Sequence, residues 1–196
     1  LQERINQTPP GGIINLSPGV YQGNFEIKLP IEIRGQKGVI LDAQGKGTVL
    51  TIKSKDVKLY DLEIINSGII LGTNDSGVKV EGGENLILEN IKISQTLFGI
   101  QLSQSLGVLL NKIDIEGHRD LKPARRGDAI KVFSSQNLKL FNSHIKGCRD
   151  IILLYSSASE FKNNLIEKAR YGIHFMYSKD SLVENNRLID NSVAIY

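Results

Sequence analysis

Residues of one kind return along this chain at a nearly fixed interval, and that return restricts the fold more than any other property of the sequence. The apolar pair Val78 and Val80 is followed 22 residues later by Ile100 and Leu102, and 30 residues later still by Ile130 and Val132. Steps of 21 and 22 lead on to Ile151 and Leu153 and to Ile173 and Phe175, and a last step of 22 reaches Ile195. Three further columns keep the same beat. Leu59, Leu88, Leu110, Leu140, Phe161 and Val183 make one, and Ile64, Ile93, Ile115, Ile145, Ile166 and Leu188 another. Between them run Leu62, Ile91, Ile113, Ser143, Asn164 and Asn186. A period of this size marks a chain built from stacked copies of one supersecondary unit.

Within each unit apolar and polar residues alternate, as in Val78-Lys79-Val80, Ile100-Gln101-Leu102 and Ile113-Asp114-Ile115. Alternation is the mark of a strand with one buried face. No segment carries a sustained helical stripe with caps at both ends. Polar, glycine-rich corners such as Glu81-Gly82-Gly83-Glu84-Asn85 separate the short strands. A strand-only repeat of about 22 residues predicts an all-β fold, a right-handed parallel β-helix (a pectin-lyase-like solenoid) of about seven rungs. A β-sandwich, the competing architecture, needs hairpins with two-residue turns and predicts no fixed period. Rungs about 4.8 Å apart bring equivalent residues into contact. Asn164 and Asn186 are therefore expected to form a structural ladder at an inward corner.

Composition narrows the functional classes. With 196 residues, the chain is expected to form one domain over residues 1–196. The single cysteine excludes an internal disulfide framework and a thiolate zinc site. No apolar run approaches the roughly 20 residues of a membrane span, so insertion into a membrane is not expected. A net charge of +3 is too small to argue for nucleic acid. Residues 1–12 lack a signal-peptide h-region, and residues 7–21 are expected to lead into and cover the first open rung. The chain stops at Tyr196 without a polar terminal cap, so C-terminal rungs and their cap are expected to be missing.

Two segments break the period. One lies around residues 66–76 and contains Ile69 to Leu71; the other is an inserted basic loop at residues 116–126. Loops bulging from a rigid solenoid are where function concentrates. His118, Arg119, Lys122, Arg125 and Arg126 make the second loop either a partner contact or simply a solvated basic segment.

Three sets of residues could carry chemistry. Asp128 and Asp150 fall near one place on adjacent rungs, at about the 5 Å separation of a retaining glycosidase pair. Asp–Arg pairing with Arg126, Arg149 and Arg170 is the simpler account, and opposite charge is expected to lower both carboxylates. His174 and Met176, two apart on one strand with inward Ile173 and Phe175 between and before them, are expected to point outward together. Imidazole and thioether suit copper, Cys148 offers a further soft ligand, and an ordinary surface histidine and methionine are the alternative. Phe133, Leu154, Tyr155, Met176 and Tyr177 form an outward apolar stripe on successive rungs. It reads either as a partner surface or as packing under the inserted loop or under further rungs.

The stretch Arg170-Tyr171-Gly172-Ile173-His174-Phe175-Met176-Tyr177-Ser178 resembles the R-[FY]-G-V-H-[YF]-M-Y-[ST] segment of the NosD family, and the likeness continues through Asp180, Ser181 and Asn186. Arg126-Gly127-Asp128-Ala129-Ile130 is similar to that family's R-G-N-G-I, and Gly147-Cys148-Arg149-Asp150 to its G-R-D-G-I region. Thr8 to Gly12, Pro18 to Tyr21, Leu41-Asp42 and Gly47 to Leu50 are also similar. Asp128 stands where the family usually has asparagine, and either Ile151 replaces its glycine or that glycine is deleted.

The resemblance implies a non-enzymatic periplasmic protein of nitrous oxide reductase maturation, active in denitrification. Its implied partners are an ABC transporter permease, a copper chaperone and nitrous oxide reductase, whose copper–sulfide site it helps to build. ATP hydrolysis would belong to the transporter's ATPase, and the chain lacks a G-x-x-x-x-G-K-[ST] loop. The resemblance raises His174 and Met176, with Cys148, as copper contacts, and copper is not needed for the fold. It also favours the apolar stripe, with His118, Arg119, Arg125 and Arg126, as partner-binding. The alternative is a carbohydrate-active β-helix enzyme, a lyase or glycosidase using Asp128 and Asp150. A sugar-binding module is weakened by the absence of Trp.

Overall fold

The alternating columns close into a coil. The computed structural model describes residues 1–196, the side chain of Pro123 excepted. One sheet holds eight parallel strands: Phe25–Ile27, Leu50–Ile52, Ser76–Glu81, Phe98–Ser103, Ile130–Phe133, Asp150–Leu154, Tyr171–Met176 and Val193–Ile195. This is the front sheet, and the chain makes seven circuits between its first and last strands. A thirteen-stranded sheet forms the remaining walls. Its strands Lys58–Ile65, Glu84–Ser94 and Leu106–Glu116 each run around a corner, whereas later rungs split the same path in two, as in Gln136–Phe141 and His144–Lys146.

The sequence columns are the registers. Val78 pairs with Ile100, Ile100 with Ile130, and Ile130 with Ile151, all parallel. Ile64, Ile93, Ile115, Ile145, Ile166 and Leu188 likewise stand in one row. Their side chains fill one continuous aliphatic core, with Phe161 and Phe175 meeting edge to face inside it at 6.0 Å. Each rung alone would leave its apolar face wet, so stacking is what stabilises it.

The sequence shows no helical stripe, yet Gln2–Gln7 forms a short helix, α1. Six residues are less than two turns, too few to display a 3.6-residue period. Ile5 is its one buried residue, and Gln2 bonds Glu26 by both side-chain ends, at 2.9 and 2.7 Å. The 30-residue step in the period is the excursion between Leu106–Glu116 and Ile130–Phe133, which holds a single 3-10 turn at Pro123–Arg125.

Candidate functional site

The corner that follows each front strand carries the outward apolar stripe, and its backbone explains the spacing. Gly82, Gln104, Ser134, Tyr155 and Tyr177 occupy this corner on successive rungs, all with φ between 47° and 70°. The first four donate their N–H groups to the next rung in one pattern: Gly82 N to Ser103 O, Gln104 N to Phe133 O, Ser134 N to Leu154 O and Tyr155 N to Met176 O. From Gln104 onward the next residue turns inward and is a serine. Ser105, Ser135 and Ser156 donate their N–H groups to the hydroxyls of Ser135, Ser156 and Ser178, at 3.0 to 3.2 Å. The hydroxyl ladder satisfies buried backbone donors that no strand reaches.

Left-handed backbone suits glycine and asparagine and disfavours bulky side chains. Tyr155 and Tyr177 take it nonetheless, and they are 59% and 78% exposed, so core packing does not hold them there. Their rings stack at 5.0 Å, and Phe133 meets Tyr155 edge-on at 6.1 Å. Phe133, Leu154 and Met176 are register partners on the adjoining strands. The structure thus brings all five stripe residues onto one edge of the front sheet.

His174 points outward as the alternation requires, but it is not a surface histidine. It is only 9% exposed, because Tyr171 and Tyr196 cover its ring at centroid distances of 4.7 and 5.1 Å. Its Nδ1 is buried without a hydrogen-bond partner, so the ring retains an unused coordinating nitrogen, and half-buried Met176 lies two residues further along the same strand. That orphaned atom fits a soft-metal contact. Cys148 does not fit it. Its side chain lies in the hydrophobic core, its Sγ sits 3.6 Å from Lys146 O, and burial pushes its thiol up to about 12. A thiol held that high stays protonated, and a metal needs the thiolate. Among the described residues no three His, Cys, Asp or Glu side chains are placed to hold a metal ion.

Asp128 and Asp150 do not form a facing pair. Ile130 is level with Ile151, so Asp128 is level with Arg149 and Asp150 sits one position further along. Both carboxylates are buried and each is met by a guanidinium. Arg149 donates to Asp128 through Nε and Nη2 at 2.8 and 3.0 Å, and Arg170 donates to both oxygens of Asp150, which also accepts the Tyr171 N–H. The arginines were expected to lower both carboxyls. For Asp128 desolvation outweighs Arg149, and its carboxyl is raised. Burial and pairing leave neither group open to a substrate.

The inserted basic loop is largely tied to the body. Arg126 donates to Leu121 O and Gly147 O at 3.0 and 2.8 Å. Arg119 pairs with Glu116 at 2.6 Å, holding that carboxylate below its usual range, while its N–H reaches Gln95 Oε1. His118 Nδ1 is buried and unpartnered. Lys122 and Arg125 are exposed and form no ion pair among the described residues. The loop at residues 66–76 leaves from the same corner two rungs earlier, linked through Leu97, whose N–H donates to Ser67 Oγ and whose carbonyl accepts from Gly127. Buried Asp75 accepts from Ile70 N and Thr73 Oγ1 and holds the tip Ile69, Ile70 and Leu71 out in solvent.

These features define a right-handed parallel β-helix protein with its surface chemistry gathered along the front sheet. The family model described as right handed beta helix region matches residues 38–196, and the chain belongs to that family. More particularly, it is similar to proteins named NosD. It is 29% identical over 136 residues to the protein named Probable ABC transporter binding protein NosD of Stutzerimonas stutzeri, covering 69% of this chain and 31% of that one. Its counterpart of the same name in Pseudomonas aeruginosa is 26% identical over 137 residues, 69% of this chain and 32% of that protein. The chain thus matches about a third of the length of these curated relatives. The family 28 exopolygalacturonase of Yersinia enterocolitica superposes with a TM-score of 0.79 over 95% of this chain and 49% of that one, at 15% identity. The Streptococcus pneumoniae surface protein and adhesin PfbA gives 0.75 over 95% and 61%, at 13% identity. Likeness at this level of identity is likeness of fold. No helix in the chain is long and apolar enough to cross a membrane.

Proposed function

We propose that this chain is the β-helical body of a periplasmic, non-enzymatic accessory protein that serves an ABC transporter in maturing the copper–sulfide site of nitrous oxide reductase. The observation that carries this reading is the match to NosD-named relatives over 69% of the chain. The rigid coil acts as a scaffold, holding recognition residues at fixed intervals of about 4.8 Å. Phe133, Leu154, Tyr155, Met176 and Tyr177 form the docking edge for transporter permease, copper chaperone or reductase. Lys122 and Arg125, on the loop that enters the front sheet from the opposite end, offer a second contact where Arg119 and Arg126 are already engaged. His174 and Met176 give a cuprous ion in transit an imidazole nitrogen and a thioether sulfur, both soft enough to hold Cu(I) weakly. Cys148 takes no part.

The test is complementation. In a denitrifying strain deleted for its NosD, the protein carrying this chain should restore copper–sulfide loading of nitrous oxide reductase, read as enzyme activity and copper content. Reductase that stays unloaded despite periplasmic expression of the protein would contradict the proposal. For the copper contact, Cu(I) titration should show weak binding that His174→Ala or Met176→Leu reduces at least fivefold.

A further inference from the structure

Beside the aromatic corner, the front sheet carries a groove of about 460 Å³ that the stripe alone does not explain. Its floor is one outward column, Lys79, Gln101 and Lys131, directly paired across three rungs. The next outward column, Glu81, Ser103 and Phe133, makes its side wall.

Gln101 is the anomaly. It is 8% exposed, and its Nε2 is buried with no hydrogen-bond partner, which destabilises the fold unless something accepts from it. Alternation puts it on the outside of the coil, where polar residues normally find water. The lysines above and below are not equivalent. Lys79 is neutralised by Glu81 at 3.6 Å, and Glu81 also meets Lys53 at 3.4 Å. Lys131 forms no ion pair among the described residues and only overhangs the Phe98 ring at 5.8 Å. An unspent cation and an unspent amide N–H on paired positions of adjacent rungs, whose backbones lie about 4.8 Å apart, suit one kind of group, a carboxylate.

Resting on the docking reading above, we infer that this groove takes an acidic side chain from a partner protein, its carboxylate lying between Lys131 and the Gln101 amide. An aromatic or aliphatic neighbour in the same segment packs on Phe133 and the tyrosine pair. The ring geometry selects a protein segment over an acidic sugar. A stacked sugar needs an open ring face, but Tyr155 and Tyr177 cover each other at an interplanar angle of 5° and Phe133 stands at 86° to Tyr155. What remains is a ridge of edges and one outer face, suited to small apolar side chains. The left-handed tyrosines fit the same purpose, since backbone strain is retained where a surface is used.

The probe is the peptide acetyl-Gly-Glu-Phe-Gly-amide, titrated into the isotope-labelled full chain and followed by the side-chain amide signals of Gln101. The expected result is a saturable shift with a Kd near about 1 mM. Replacing the peptide's Glu by Gln, or making Lys131→Gln, should weaken it at least tenfold. Gln101→Glu, which keeps the size but puts a negative charge in place of the amide donor, should abolish binding, followed in that variant by the backbone amide of Phe133. An unmoved Gln101 signal overturns the inference, as does equal binding of the neutral peptide. Tighter binding of trigalacturonate than of the peptide would show a sugar site instead and also overturn it. Transporter binding measured alongside separates the two claims. If the transporter binds and the peptide does not, the inference falls alone. If the peptide binds and the transporter does not, the docking reading falls and the carboxylate site stands.

Discussion

At the corner after Gln136–Phe141 and its stacked equivalents, Asn142, Asn163 and Asn185 hold left-handed backbone at φ 52°, 57° and 55°. At the corner after the front strands, Ser134, Tyr155 and Tyr177 hold the same conformation at 47°, 50° and 51°. Each is followed by an inward polar residue that bonds the rung next to it: Ser143, Asn164 and Asn186 at the first corner, Ser135, Ser156 and Ser178 at the second. The backbone demand and the inward solution are therefore shared. Only the outward residue differs. Asparagine is the usual non-glycine choice in this conformation, whereas tyrosine is disfavoured by about 1 kcal/mol or more. The comparison separates what the fold requires from what the surface selects, and assigns the tyrosines to the surface.

If the inward ladders carry the stability, breaking one should produce the largest effect. Asn164 accepts from Ser143 N at 2.9 Å and donates to Leu140 O and Asn186 Oδ1, both at 2.8 Å. Asn164→Ala strands several buried groups and should cost about 3 kcal/mol, read from urea denaturation. A loss under about 1 kcal/mol would remove the ladder from the account. At the other corner, Ser156→Ala leaves only Ser135 N and Leu154 O without their hydroxyl partner and should cost about 1.5 kcal/mol. If the serine column proves the costlier, the two corners are not structural equivalents.

The buried Asp128–Arg149 pair gives a smaller, pH-dependent signal. Because desolvation raises the Asp128 carboxyl, the folded state holds that proton more tightly than the unfolded chain. This group favours folding most at acid pH, and the benefit declines as pH rises from about 4 through the raised folded value. Asp128→Asn removes that decline. The variant should gain on the parent between pH 4 and 7 and stay within about 1 kcal/mol of it at neutrality. A parent that gains stability on the variant over that range would show that Arg149, not burial, governs the carboxyl.

The smallest stability change belongs to the tyrosines. Replacing Tyr155 and Tyr177 by Asn relieves left-handed strain and forfeits their stacking, worth about 0.5–1.5 kcal/mol, so the two should nearly cancel.

Much of the fold was legible because a solenoid writes its registers into the sequence. The column from Ile64 to Leu188 is a list of true neighbours, and so is the pair Asn164 and Asn186. The site was less legible wherever a residue's surroundings come from another rung or from a corner. The alternation around His174 gives its direction, but its cover comes from Tyr171 and, a rung away, Tyr196. Cys148 lies at a corner, where alternation lapses, and turns inward. A one-residue offset separates two aspartates that spacing had placed together. Helix α1 is too short to show a period. The groove floor is also written in the sequence: the same steps of 22 and 30 that align the apolar columns align Lys79, Gln101 and Lys131 on the opposite face.

The claim that the tyrosine corner is a docking edge is tested most directly by one paired measurement. The Tyr155→Asn, Tyr177→Asn double variant and its parent are compared for thermal midpoint and for binding to the ABC transporter in lipid nanodiscs. The account predicts a midpoint within about 4 °C of the parent, equivalent to roughly 1 kcal/mol in a domain of this size, together with at least a tenfold loss of binding. Unchanged binding, or a midpoint that falls steeply while binding follows it, would show that the tyrosines serve the fold and not a partner.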